Sequence, residues 1–240
     1  MILSKKIQAE WRPRRRFRAL SFDGIDDYVE IADSPSLRCR DFTVAFSIYP
    51  KVPKDIVTNP AMHIIHKKIW SGISPWGFYI SNSTRQINFV VRDYWAGTQK
   101  GIITQIEFDK WNFVTGKYND NVISIYLNGE RKSFVSLAIQ FDNTQNYNKI
   151  WIGNSNSTYA VGGTIGSVFM YNVALSDSEI KQLSDNPFNP PRPENLVLWL
   201  APGSIDTSTN TWYDLSQYGN HGTIYGAQVV EEAVREVIVK

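Results

Sequence analysis

Ala19-Leu-Ser-Phe-Asp-Gly-Ile-Asp-Asp-Tyr-Val-Glu-Ile31 is the stretch on which the fold turns. An apolar run enters the pair Asp23-Gly24, where the glycine supplies a backbone conformation that other residues avoid. The chain then leaves as an alternating strand carrying Ile25, Tyr28, Val29 and Ile31. A second strand follows after the Pro/Ser turn at 32–37. Over 42–49, Phe42, Val44, Phe46 and Ile48 share one face, and Pro50 and Pro53 end the run.

The same punctuation continues downstream. Residues 51–75 read as loop-rich. Strands are expected over 77–80 and 86–92, around a turn at 81–85. Trp111 then leads a strand, a polar turn follows at 118–121, and 122–130 is a strand closed by the hairpin signal Asn128-Gly129. Two more strands fall at 149–154 and 163–171. One helix starts at Ser176, with Glu179 placed as its capping-box partner, Leu175 and Ile180 as a staple, and Asn186-Pro187 as its stop. The tail at 229–239 fits a strand better than a helix because of its β-branched residues.

Taken in serial order, these motifs resemble laminin-G-like domains, the jelly-roll sandwiches related to concanavalin A. The resemblance implies an all-β, concanavalin A-like jelly-roll sandwich of roughly a dozen strands in two antiparallel sheets, with one short helix. It covers residues 19–183 in the usual order. The segment 194–226, with Leu196-Val-Leu-Trp-Leu200 and the Gly/Asn-rich stretch ending at Gly226, resembles what usually precedes the opening motif. A circular permutant explains that order, with 19–240 as a single sandwich; the start of a second, incomplete domain is the alternative.

Composition excludes little. The 240 residues are 42% hydrophobic, enough for one sizeable core, and the net charge is +2. The charge is uneven: residues 1–18 carry seven basic side chains against Glu10, a net +6, which leaves −4 for the rest. This basic arm is the one feature through which nucleic acid or an acidic partner would be engaged. Cys39 is the single cysteine, so no intrachain disulfide forms. Met1-Ile-Leu-Ser is too short for the apolar part of a signal peptide, and no apolar run approaches a membrane span.

Candidate sites are thin. Glycoside hydrolysis needs two facing carboxylates. The Glu-x-Asp-x-x-Glu pattern of concanavalin-like glucanases is met only as far as Glu107 and Asp109, with Asn112 in the third place. His63 and His66 read as loop histidines. Sugar recognition needs aromatic faces beside planar polar groups. The loops offer Trp70, Trp76, Tyr94, Trp95, Tyr147 and Tyr159, and the expected ligand-binding set is Trp76, Arg92, Asp93, Tyr94, Trp95, Asn154, Asn156 and Tyr159. Trp111, Trp151 and Trp199 sit in apolar strands and are expected in the core. The resemblance also implies calcium (Ca2+) in oxygen-rich loops, with Asp23, Asp214 and Asn220 at the matching positions.

The expected function is a non-catalytic recognition module for carbohydrate or glycoprotein, as in an extracellular, cell-surface or virion attachment protein. A structural virion or surface protein making only protein contacts, as in a homo-oligomer, is one alternative; an unusual glycoside hydrolase is the other.

Overall fold

The computed structural model describes residues 16–52, 60–67, 75–92, 99–137, 148–154 and 157–233. Its strands are β1 (Arg16–Asp23), β2 (Tyr28–Ile31), β3 (Phe42–Pro50), β4 (Ala61–Lys67), β5 (Trp76–Ser81), β6 (Gln86–Arg92), β7 (Gln99–Gln105) and β8 (Asn112–Asn119). They continue with β9 (Val122–Leu127), β10 (Glu130–Ser136), β11 (Ile150–Gly153), β12 (Gly162–Tyr171), β13 (Leu196–Asp206), β14 (Thr211–Asp214), β15 (Gly222–Tyr225) and β16 (Gln228–Ala233). The single helix among the described residues is α1 (Asp177–Asp185).

All described pairings are antiparallel. One layer runs β15-β2-β11-β4-β5-β6-β7 and the other β10-β9-β8-β3-β12, extended by β13 and by β1-β16; β13 and β14 carry hydrogen bonding from one layer into the other. A bulge in β12 between Ile165 and Val168 separates the part paired with β1 from the part paired with β13. The strands of 196–233 therefore lie in the same two layers as those of 16–171.

Period-two alternation builds the core. Val44, Phe46 and Ile48 from one layer meet Phe78, Ile80, Ile87 and Phe89 from the other. Phe46 and Phe78 touch edge to face at 5.0 Å, and Phe78 stacks on Phe89 at 4.7 Å. Gly116 of β8 sits under this pair; a methyl group there would lie 2.9 Å from Phe78 Cε1 and from Phe89 Cγ. Ala45, Phe113, Phe169 and Leu196 point the other way and form a second cluster with Leu175, Ile180 and Leu183, so α1 seals the outer face of the β8-β3-β12 layer. Ser176 caps the helix with the expected capping box to Glu179. Asn128 and Gly129, both at positive φ, make the two-residue turn between β9 and β10.

Several expectations need correction. Residues 61–67 form strand β4 inside the span read as loop, and His63 and His66 lie on it. The basic arm gives way to β1 at Arg16 rather than after Arg18, and Arg18 Nη1 donates to the Ile205 carbonyl at 2.9 Å. Sixteen strands stand among the described residues, against the roughly a dozen expected. In the tail, β16 is a strand as expected, and 234–240 lie outside the described residues.

Candidate ligand-binding face

The expected platform divides into several fates. Trp76 is 0% exposed: β5 begins at this residue, so Trp76, Phe78 and Ile80 all point into the core. It packs on Phe42 at 5.6 Å, and its Nε1 finds no acceptor among the described residues. Burying its ring, some 150–250 Å2 at about 25 cal/mol per Å2, gains roughly 4–6 kcal/mol. The unpaired N–H costs about 1–3 kcal/mol, so burial wins. Asp93, Tyr94, Trp95 and Asn156, with Trp70 and Tyr147, lie outside the described residues. Arg92 ends β6 and donates to the Gln99 side chain. Asn154 is buried just past β11. Tyr159 is 37% exposed and stacks on His63.

The chemistry-bearing face lies on the outer side of β15-β2-β11-β4-β5. Val29 and Ile31 face inward, so Tyr28 and Glu30 face out; Ile150 and Ile152 face inward, so Trp151 faces out. Cross-strand register brings these residues side by side. Tyr225 opposes Tyr28, and Glu30 opposes Trp151, which in turn opposes His66. A bulge between His63 and Ile65 puts both β4 histidines on the outer side of the sheet, where His63 is partly exposed and His66 is buried among its neighbours.

The result is a ladder of rings. Tyr225 and Trp151 flank Tyr28, each at 4.5 Å, with interplanar angles of 11° and 18°. His66 is 6.3 Å from Trp151 and 5.6 Å from His63. His63 stacks on Tyr159 at 4.5 Å and meets the edge of Tyr79 at 4.4 Å. Glu30 is held at the centre: Lys149 Nζ donates to Oε1 at 2.7 Å and Trp151 Nε1 to Oε2 at 3.2 Å. The bond from Lys149 to Glu30 raises that amine's pKa. Burial raises the pKa of Tyr28 and pushes His63 down to about 4, so His63 is a neutral aromatic ring at physiological pH.

Trp151 is therefore a surface residue and not the core tryptophan expected. Trp111 and Trp199 are likewise only partly buried. The alternation Ile150-Trp-Ile152 already places Trp151 opposite two isoleucines. What it cannot show is that Tyr28, Tyr225 and His66 arrive from distant segments to meet it.

Glu30 is the one carboxylate among the described outward residues of this face. Glu107 and Asp109 sit on a turn: Asp109 has φ 57° and Glu107 pairs with Lys110. Strand periodicity therefore does not align them.

The structure does not bring Asp23 together with Asp214 and Asn220. Asp27 precedes Tyr28, which pairs with Tyr225, whereas Gly222 at the other end of β15 pairs with Ile31. The Asp23 turn and the Asp214 loop thus flank opposite ends of β2, roughly 10 Å or more apart. Asp214 is buried and is fully engaged as an acceptor. Its Oδ1 receives the Trp199 and Ser216 amides at 2.8 and 2.9 Å; its Oδ2 receives the Asn220 amide and the Ser216 hydroxyl at 2.8 and 2.6 Å. Asn220 Nδ2 donates to Ser36 Oγ and to the Val197 carbonyl. The neighbours of Asp23 are Asp26 and Asp27, and one carboxylate oxygen from each of the three lies within 4.8 Å of the other two. Asp27 Oδ2 accepts the Asp23 amide at 2.8 Å, and burial raises the Asp27 pKa.

No helix among the described residues is long and apolar enough to cross a membrane. No curated protein matches the chain by sequence. Among solved structures, a "putative carbohydrate binding protein" from Bacteroides ovatus aligns at TM-score 0.70 and 17% identity, covering 93% of this chain and 62% of that one. The chain thus spans less than two thirds of that protein. A heptameric SAP-like pentraxin from Limulus polyphemus aligns at TM-score 0.56 and 14% identity, covering 93% and 95%. The Ruminococcus gnavus IT-sialidase CBM40 bound to α2,3-sialyllactose aligns at TM-score 0.54 and 13% identity, covering 72% and 100%. At these identities the likeness is one of fold. The family model for the concanavalin A-like lectin/glucanases superfamily, laminin-G type, matches residues 23–181, about two thirds of the sequence, and the chain belongs to that superfamily.

Proposed function

We propose that this protein is a non-catalytic recognition module that binds carbohydrate, free or on a glycoprotein, on the outer face of β15-β2-β11-β4-β5. The observation that carries the reading is the ring ladder with Glu30 fixed at its centre. Aromatic rings offer stacking surface to the C–H faces of a pyranose, and an immobilised carboxylate beside an ammonium and tyrosine hydroxyls offers hydrogen bonds to its hydroxyls. A lone, ion-paired carboxylate does not supply the two roles that glycoside hydrolysis needs. Two of the similar structures, a "putative carbohydrate binding protein" and a sialidase CBM40 bound to α2,3-sialyllactose, support the same reading. The proposed setting is an extracellular, cell-surface or virion surface, where such a module would serve attachment. Calcium, if it is bound, belongs at Asp23, Asp26 and Asp27 rather than at Asp214.

A glycan-array screen tests this reading, run with calcium and with chelator. Binding to a defined glycan class, lost in Trp151→Ala with the fold intact, supports it. Absence of binding in both conditions sinks it and transfers the role to protein contacts, as in a structural surface subunit.

A further inference from the structure

Resting on that carbohydrate reading, we infer that the ligand is an extended oligosaccharide held at two separated stacking points, and not a single terminal sugar in one pocket. Two inner rings of the ladder, Tyr28 and His63, have no face to give. β15 and β11 flank β2 on opposite sides, so Tyr225 covers one face of Tyr28 and Trp151 the other, both at 4.5 Å and nearly parallel. His63 is taken by Tyr159 against its face and by Tyr79 at 4.4 Å. Rings packed this way present only their edges to solvent.

The exposed aromatic surface lies at the ends of the ladder. Tyr225 is 42% exposed, and the side of its ring away from Tyr28 meets no other ring among the described residues. Tyr159 is 37% exposed beyond His63. β15 and β4 are three strands apart, so the two ends are separated by about 14 Å across the sheet. One pyranose ring cannot stack on both. Between them runs the polar strip of Glu30, Lys149 and the Trp151 indole, with Glu30 already fixed by two hydrogen bonds and so pre-organised for intervening hydroxyls. A linear glycan laid across the strands would stack a sugar at each end and hydrogen-bond between.

The test takes the glycan bound best on the array and trims it stepwise with exoglycosidases to the monosaccharide. Affinity is measured calorimetrically at each length. The inference predicts a rise of at least tenfold once the chain is long enough to reach both ends. Tyr225→Ala and Tyr159→Ala should each weaken the full-length glycan by about three- to tenfold, the worth of one aromatic contact, while on a disaccharide only one of the two should matter. Binding of the monosaccharide within about threefold of the full-length glycan overturns the inference, as does a full-length affinity that is insensitive to either substitution. Failure to bind any glycan is a different result: it overturns the carbohydrate reading and this inference with it.

Discussion

Replacing Asp214 by Asn should destabilise the fold in a way that calcium neither causes nor cures. Asp214 is buried and accepts four hydrogen bonds, three of them from backbone amides. In Asp214→Asn, one oxygen becomes an amide NH2. With Oδ1 kept on Trp199 and Ser216, that NH2 faces the Asn220 amide and the Ser216 hydroxyl, both donors. The hydroxyl can turn to solvent, because Ser216 is only half-buried; the Asn220 amide cannot, because Asn220 is buried. A buried donor without an acceptor costs about 1–3 kcal/mol, and the loss of a charge-assisted bond adds about 1 kcal/mol, giving roughly 2–4 kcal/mol in all. For a domain of this size that is about 5–12 °C in Tm. The assay is urea unfolding of wild type and variant, each with calcium and with EDTA. A wild-type to variant gap of that size, unchanged by chelator, is the expected result. A gap under about 0.5 kcal/mol would refute the hydrogen-bond argument. Calcium stabilisation of the wild type that disappears in Asp214→Asn would instead restore Asp214 as a metal ligand.

Three further outcomes follow from the same structure. Lys67 is fully buried with its Nζ on the Leu37 carbonyl at 3.0 Å, and burial pushes its pKa from 10.5 down to about 8. Between those values the unfolded chain binds the extra proton, so Lys67 makes stability rise with pH across about 8 to 10.5, by up to roughly 3 kcal/mol. Cys39, whose thiol burial pushes from 9.0 up to about 12, acts in the opposite sense above pH 9. The Lys67 contribution is therefore read as the difference between wild type and Lys67→Met in denaturation at pH 8, 9 and 10; parallel pH profiles would contradict it. Gly116→Ala inserts a methyl group under Phe78 and Phe89 and should cost about 1–3 kcal/mol in urea unfolding, whereas a neutral result would mean that the two layers separate freely at this point. Ser176→Ala removes the hydroxyl that accepts the Glu179 amide, leaving only the backbone half of the α1 capping box, and should cost about 1 kcal/mol; an unchanged midpoint would show that packing of Ile180 and Leu183 alone sets the helix start.

The fold was readable because its signals are local. The Asp23-Gly24 turn, the alternation of 42–49, Asn128-Gly129 and the Ser176 capping box each declare themselves within a few residues, and each stands in the structure as read. Strand β4 was missed because Ile64-Ile65 breaks the period-two pattern; the bulge that causes the break is also what puts both histidines on the outer side of the sheet. The site was harder for a different reason. Its rings come from residues 28, 63, 66, 151 and 225, and only cross-strand register joins them. Position in a loop was a poor guide to exposure, as Trp76 shows. Position in a strand was a poor guide to burial, as Trp151 shows, because alternation puts half of every strand outside. For Asp214 and Asn220 the residue types fit a cation loop, but the same oxygens serve equally well to tie a turn, and only the list of donors around Asp214 tells the two apart.

The most direct test of the central claim is 19F NMR of the protein labelled with 5-fluorotryptophan at its eight tryptophans, titrated with the best array glycan. The Trp151 resonance, assigned by Trp151→Phe, should shift and saturate with binding, while the resonances of the fully buried Trp76 and Trp212 stay in place. Saturable binding that leaves Trp151 unmoved and shifts another tryptophan would place the ligand elsewhere and contradict the account.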